Sequence, residues 1–137
     1  MIRISIFIDT NILVSYFNKR DENHEKSEKL LKDIFEKKKY GDPITSDYVF
    51  DESVNVCILR TKSKELSIKF GDMIINSIPM LNVTIPIFQM SWALFKKVKM
   101  SFTDCTNIIL VLTYGIKNIA TFDKEFKRIN NINVVDN

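Results

Sequence analysis

The chain predicts an α/β fold, a parallel sheet covered on both faces by helices, and three observations support this. Short apolar runs rich in β-branched residues alternate with longer segments of helical period. The first run, Ile4-Ser5-Ile6-Phe7-Ile8, is brief and Ile-rich, as in a strand enclosed within a parallel sheet. It ends abruptly in Asp9-Thr10-Asn11, which delivers an acid to the carboxyl edge where open α/β folds build their sites.

The elements follow in order. Residues 2–8 form the first strand, and Thr10 or Asn11 caps a helix carrying Ile12, Leu13, Tyr16 and Phe17. Asp21-Glu22-Asn23 interrupts it. From about Glu25 to Lys39, the apolar positions Leu30, Leu31, Ile34 and Phe35 recur at helical spacing among charges, which describes a surface helix with one buried stripe. Gly41-Asp42-Pro43 marks a turn, and Ile44-Thr45-Ser46 a short strand leading into a helix from Tyr48 to about Arg60.

Ser63 caps a helix over Lys64–Ser77, closed by Pro79 before the strand-like residues 81–85. Pro86 opens the next helix, which runs to about Val98. After Ser101-Phe102-Thr103 comes a helix so apolar over Ile108–Leu112 that it must be largely enclosed, with Gly115 as its stop. Asn118–Thr121 reads as a buried strand, Lys124–Arg128 as a short helical turn and Ile132–Val135 as a last strand. Right-handed crossovers are expected between the parallel strands.

A chain of 137 residues with 45% hydrophobic content holds one core and is short for two, so residues 1–137 are expected to form a single domain. The net charge of +3 permits a nucleic-acid partner without demanding one, because polyanion binding depends on where the charge lies. Cys57 and Cys105 lack zinc or redox spacing and read as buried thiols of a reducing compartment. No leader pattern is visible at the N-terminus, and no uncharged run reaches the roughly 18 residues of a membrane span. A soluble, cytoplasmic protein without membrane attachment is expected.

Four acids carry the chemistry. In a parallel sheet Asp9 and Asp123 leave the carboxyl ends of strands, while Glu52 and Asp104 lie near the amino ends of helices that begin at the same edge. Clustered carboxylates repel one another, and a divalent cation bound between them makes the arrangement tolerable. Oxygen donors of this kind suit Mg2+ or Mn2+. With no cysteine nucleophile, no Ser-His pair and no glycine-rich phosphate loop among only three glycines, metal-assisted hydrolysis remains.

The segments Phe7-Ile8-Asp9-Thr10-Asn11, Thr45 to Glu52, Ser101-Phe102-Thr103-Asp104 and Ala120 to Phe126 resemble, in order and spacing, the motifs of PIN domains. The closest likeness is to compact toxin ribonucleases of the VapC type. The resemblance implies an α/β/α sandwich around a parallel sheet and a metal-dependent endoribonuclease. It makes Asp9, Glu52, Asp104 and Asp123 catalytic and metal-facing, with Asn11 and Thr121 orienting the acids by hydrogen bonds. It also implies a homodimer and a small protein antitoxin that blocks the site. An apolar helix pair near residues 64–78 and 87–98 offers a dimer face.

Other features have plainer readings. Asp51 adjoins Glu52, and since neighbouring helical residues point about 100° apart, one of the two faces the site; an auxiliary role is left to Asp51. His24 reads as a solvated surface residue, Thr10 as a helix cap, and Phe88, Trp92 and Phe95 as core or dimer contacts. Of the basic clusters, Lys124, Lys127 and Arg128 follow Asp123 directly and are the candidate RNA contacts. Three alternatives stand beside the toxin reading: an RNA-processing PIN nuclease without an antitoxin, a PIN-like module that binds RNA or protein without catalysis, and a phosphotransfer protein. The last fits poorly, because a phosphatase of that kind wants a second acid where Asn11 stands.

Overall fold

The computed structural model describes residues 4–137. Five parallel strands, β1 (Ser5–Ile8), β2 (Asp42–Ser46), β3 (Met80–Leu81), β4 (Asn118–Ala120) and β5 (Asn133–Val135), form one sheet in the order β3-β2-β1-β4-β5. Six helices flank it: α1 (Thr10–Phe17), α2 (His24–Lys32), α3 (Asp47–Thr61), α4 (Lys64–Ser77), α5 (Ile85–Phe95) and α6 (Phe102–Thr113). The expected three-layer α/β/α arrangement is therefore present.

The strand order explains where the site lies. β1 is central, the chain builds outward from it through β2 and β3, then returns to its other side for β4 and β5. Such a reversal opens a crevice beyond the carboxyl ends of the middle strands. Ile6, Phe7 and Ile8 are fully buried, and Thr45 fastens the end of β1 to β2 by donating its hydroxyl to the Ile8 carbonyl at 2.8 Å. Ile12 and Leu13 from α1, Phe70 and Ile74 from α4, and Ile108, Leu110 and Val111 from α6 complete the core around these strands.

Several boundaries differ from expectation. The expected first two residues of β1, at 2 and 3, lie outside the described residues. At the next strand the chain starts pairing earlier than expected, at Asp42, because the bend is made upstream by Gly41 at φ 91°. A β-carbon there would sit 2.1 Å from the Ile4 carbonyl oxygen, so only glycine fits. The helix expected to run to Lys39 ends at Lys32; it widens into a π-helical turn, Asp33–Lys37, and stops where Lys38 adopts a left-handed conformation.

The strand expected over 81–85 is reduced to Met80–Leu81. Beyond Leu81 the Val83 amide donates to the Asp47 side chain at 3.0 Å instead of to a strand, and α5 begins at Ile85 and ends at Phe95, short of Val98. The start of α1 is also different. Asp9 is its N-cap and Thr10 the first helical residue, and the buried Thr10 hydroxyl has no partner among the described residues. Thr10 is therefore not the cap.

Candidate active site

Asp9 emerges from β1 into the crevice and is 3% exposed. Four donors meet its carboxylate. Oδ1 accepts from the Thr10 backbone amide at 2.7 Å and from Asn107 Nδ2 at 3.1 Å; Oδ2 accepts from the Thr121 hydroxyl at 2.8 Å and meets Asn11 Nδ2 at 3.5 Å.

The directions of these bonds follow from their neighbours. The Phe122 amide donates to Asn11 Oδ1 at 3.1 Å, which turns Asn11 Nδ2 toward the Thr121 hydroxyl oxygen, also at 3.1 Å. That oxygen further accepts from the Asp123 amide at 3.1 Å. With both lone pairs engaged, the Thr121 hydroxyl has one proton to give, and it goes to Asp9. The expected supporting pair, Asn11 and Thr121, thus lock β4 and the segment after it onto the Asp9 carboxylate.

The other acids converge on this point to different degrees. Glu52 is half-buried in the second turn of α3, and together with Asp9 and Asp104 it lines an open cavity of about 550 Å3. Asp51 is exposed and accepts from Asn55 Nδ2 at 3.3 Å, so it faces away. Asp104 is half-buried and closes a capping box at the head of α6: its amide donates to Ser101 Oγ at 3.1 Å, and the Ser101 amide donates back to Asp104 Oδ2 at 3.4 Å. Asp123 caps the 3-10 helix Lys124–Arg128 by accepting from the Glu125 amide at 2.9 Å; it does not line the cavity.

Electrostatics ties the acids together. The Asp9 carboxyl is pushed up to about 7, first by burial and then by the charge of Asp104, with a smaller contribution from Glu52; the bonds from Thr121 and Thr10 oppose the rise. The Asp104 carboxyl is also raised, chiefly by burial, then by the charges of Asp123 and Glu52 against the lowering effect of Ser101. Mutual repulsion of carboxylates is what a cation relieves, and oxygen donors suit a hard one. Among the described residues, however, no three His, Cys, Asp or Glu side chains are grouped closely enough to hold a metal ion as they stand.

The cavity has further walls. Glu52, Val56 and Arg60 form one stripe along α3, facing Thr10, Asn11, Val14 and Ser15 of α1, with Asp21 at the far end and Phe122 on the rim. Arg60 Nη1 lies 3.3 Å from Asp21 Oδ2. The basic residues singled out in the sequence do not line it. Lys127 pairs with Asp136 at 3.3 Å and Arg128 with Glu125 at 3.5 Å, and Arg128 borders a separate hollow.

One other expectation changes. His24 is not a solvated surface residue: its ring is 19% exposed, with Nδ1 3.0 Å from the Ser15 carbonyl and Nε2 3.6 Å from Glu28. Of the two expected places for Phe88, Trp92 and Phe95, core or dimer contact, their exposure excludes the core. They are 42%, 48% and 37% exposed and gather around Phe102 as an aromatic shelf beside the head of α6. Asn107 is the functional candidate that sequence reasoning passes over. Its signal is a polar residue at the head of the apolar run of α6, three positions after Asp104 and so on the same helix face.

Comparison with known proteins agrees with this geometry. The PIN domain family matches residues 6–132. Among solved structures, the VapC20 toxin of Mycobacterium tuberculosis, which cleaves the sarcin-ricin loop, is 21% identical over 89% of this chain and 92% of its own, with a TM-score of 0.77. VapBC2 of Rickettsia felis, bound to a promoter DNA fragment, gives 18% identity over 96% and 98% and a TM-score of 0.68. FitAcB of Neisseria gonorrhoeae gives 14% over 94% and 95% and a TM-score of 0.65. No curated protein sequence matches the chain. The match of the family over nearly the whole sequence, on a fold that gathers acids at the expected sheet edge, establishes that the chain belongs to the PIN domain family.

Proposed function

We propose that this protein is a Mg2+- or Mn2+-dependent endoribonuclease that hydrolyses RNA phosphodiester bonds, and that it is the toxin of a toxin-antitoxin pair. The observation that carries this reading is Asp9, a buried acid pushed up to about 7 yet supplied with donors that favour its charged form. A structural cap has no need of such a conflict. A cation would settle it, held by Asp9, Glu52, Asp104 and Asp123.

When bound, such an ion lowers the pKa of a coordinated water and stabilises the charge developing on the phosphate. The chain's own residues prepare for this. Thr10, Asn107 and Thr121 fix the Asp9 carboxylate, Glu52 and Asp104 line the same cavity, and Asp123 would have to leave the Glu125 amide to join them. Arg60, half-exposed on the same stripe as Glu52, is available to a phosphate beside the scissile one.

Two surfaces support the partners. A groove of about 570 Å3 lined by Leu13, Tyr16, Leu31, Phe35, Met73 and Ile78 suits the apolar face of a small antitoxin. Ile85, Phe88, Met90 and Trp92 on α5, with Ile68 and Ile75 on α4, leave exposed apolar surface for a homodimer. No helix among the described residues is long and apolar enough to cross a membrane; the cytoplasmic location belongs to the proposal.

Purified protein is expected to cut RNA internally with Mg2+ or Mn2+, to stop with a chelator, and to lose cleavage in a folded Asp9→Asn variant. Equal cleavage by that variant would sink the reading.

A further inference from the structure

Asn107 is fully buried in α6 between Thr106 and Ile108, both also buried, where a leucine would suit both the helix and the core. Its amide nitrogen donates to Asp9 Oδ1 at 3.1 Å, while its carbonyl oxygen is buried without a partner among the described residues. A side chain that leaves half its polar capacity unsatisfied is held there by the other half. The contact with Asp9 is therefore the feature to explain.

Oδ1 of Asp9 accepts from two directions, the Thr10 amide and Asn107, and a carboxylate oxygen has two in-plane lone pairs. Both are occupied. Oδ2 accepts firmly only from the Thr121 hydroxyl; Asn11 Nδ2 lies at 3.5 Å and makes its shorter contact, 3.1 Å, with Thr121. One direction of Oδ2 is thus open.

We propose that Asn107 is a positioning residue that closes Oδ1 of Asp9, so that the carboxylate presents Oδ2 alone, in one fixed direction, to a divalent cation. The role rests on the nuclease reading above. Without Asn107 the Thr10 amide and the Thr121 hydroxyl would still hold one direction of each oxygen, but the second direction of Oδ1 would open, so that the carboxylate could offer either oxygen to the ion. The expected loss is one of metal affinity and of turnover, with substrate affinity kept.

Asn107→Leu provides the test, because it preserves bulk and also removes the unpartnered carbonyl. Mn2+ binding to chelator-treated protein, measured by calorimetry, is expected to weaken about 10-fold or more, the usual effect of losing a partner of a metal-binding side chain. The metal-free melting temperature is expected to hold or rise, and cleavage to lose kcat with KM unchanged. Asn107→Ala gives the same comparison should the leucine variant not fold. A folded variant that binds Mn2+ as the parent does overturns the proposal, and a lowered melting temperature with unchanged Mn2+ affinity assigns Asn107 a purely structural part. Failure of the parent protein to bind Mn2+ overturns the nuclease reading along with it, so the two failures are told apart by the parent alone.

Discussion

Asp9 and Asp123 stand at the same edge of adjacent parallel strands, yet the protein treats them in opposite ways. Asp9 is buried, receives donors on both oxygens and is pushed up to about 7. Asp123 is half-buried and accepts from the Glu125 amide, a bond internal to its own short turn. The difference separates two tasks. A carboxylate fixed across the fold gives direction but must be desolvated, whereas one bonded only within its own turn is less firmly held. No three acids among the described residues form a ready coordination shell, so one firmly held acid and others held only locally make a coherent plan.

The strongest way to break the contrast is to neutralise each acid in turn. Asp9→Asn is expected to reduce RNA cleavage by at least about 1,000-fold, because both its charge and its fixed direction go. Asp123→Asn is expected to lose less, on the order of 10- to 100-fold, since its neighbours can shift to compensate. Initial rates at saturating Mg2+ decide the matter, and equal losses would erase the distinction between firmly and locally held acids.

Stability against pH comes next. A carboxyl whose folded value, about 7, exceeds its ordinary 3.8 binds more protons folded than unfolded between those limits. Its contribution is fully present below about pH 4 and is lost as pH rises through 7. The shift corresponds to roughly 4 kcal/mol at most. The metal-free melting temperature is therefore expected to fall between pH 5 and pH 8, and added Mn2+ to restore it at pH 8. In Asp9→Asn the Mn2+ effect should vanish and the pH effect should shrink to what Asp104, also raised, contributes, whereas in Asp123→Asn both should persist.

Thr121→Val tests the link between the two acids. The hydroxyl gives its proton to Asp9 and accepts from the Asp123 amide, so its loss touches both. Cleavage is expected to fall about 10- to 100-fold. Because the Thr121 bond lowers the Asp9 value, the pH midpoint of metal-free stability should move upward. A midpoint unchanged in calorimetric melting would deny Thr121 its part.

The same contrast governs what could be read from the sequence. β1 and its terminal acid were legible because an Ile-rich run ending in Asp-Thr-Asn signals a buried strand and an edge at once. Gly41 and Gly115 likewise mark bends, at φ 91° and 67°. The end of α2 was not legible, since the π-turn at Asp33–Lys37 carries a periodic apolar pattern that suits a plain helix equally well. The expected extent of β3, to residue 85, fails because Asp47, distant in sequence, takes the Val83 amide. Thr10 looked like a cap until Asp9 proved able to serve as cap and candidate ligand together. Asn107 escaped notice because its purpose lies 98 residues away, in a bond across the fold.

The smallest expected effect concerns the basic residues. Sequence proximity to Asp123 points to Lys124, Lys127 and Arg128 as RNA contacts, whereas the cavity is bordered by Arg60. Lys127 and Arg128 are engaged by Asp136 and Glu125 on the exposed surface, where such pairs are worth little and a phosphate competes easily. Arg60 lines the cavity and meets Asp21 through one nitrogen, so its guanidinium keeps donors for a phosphate. Arg60→Gln is expected to raise KM several-fold and to lower the slope of log affinity against log salt by about one, the signature of a single lost phosphate contact. Lys127→Gln and Arg128→Gln should each change KM less than about 2-fold, because a contact outside the cavity adds only screened attraction. Should the order be reversed, RNA would have to leave the cavity past Asp123 and not along α3, and the locally held acid would then be the one that meets the substrate first.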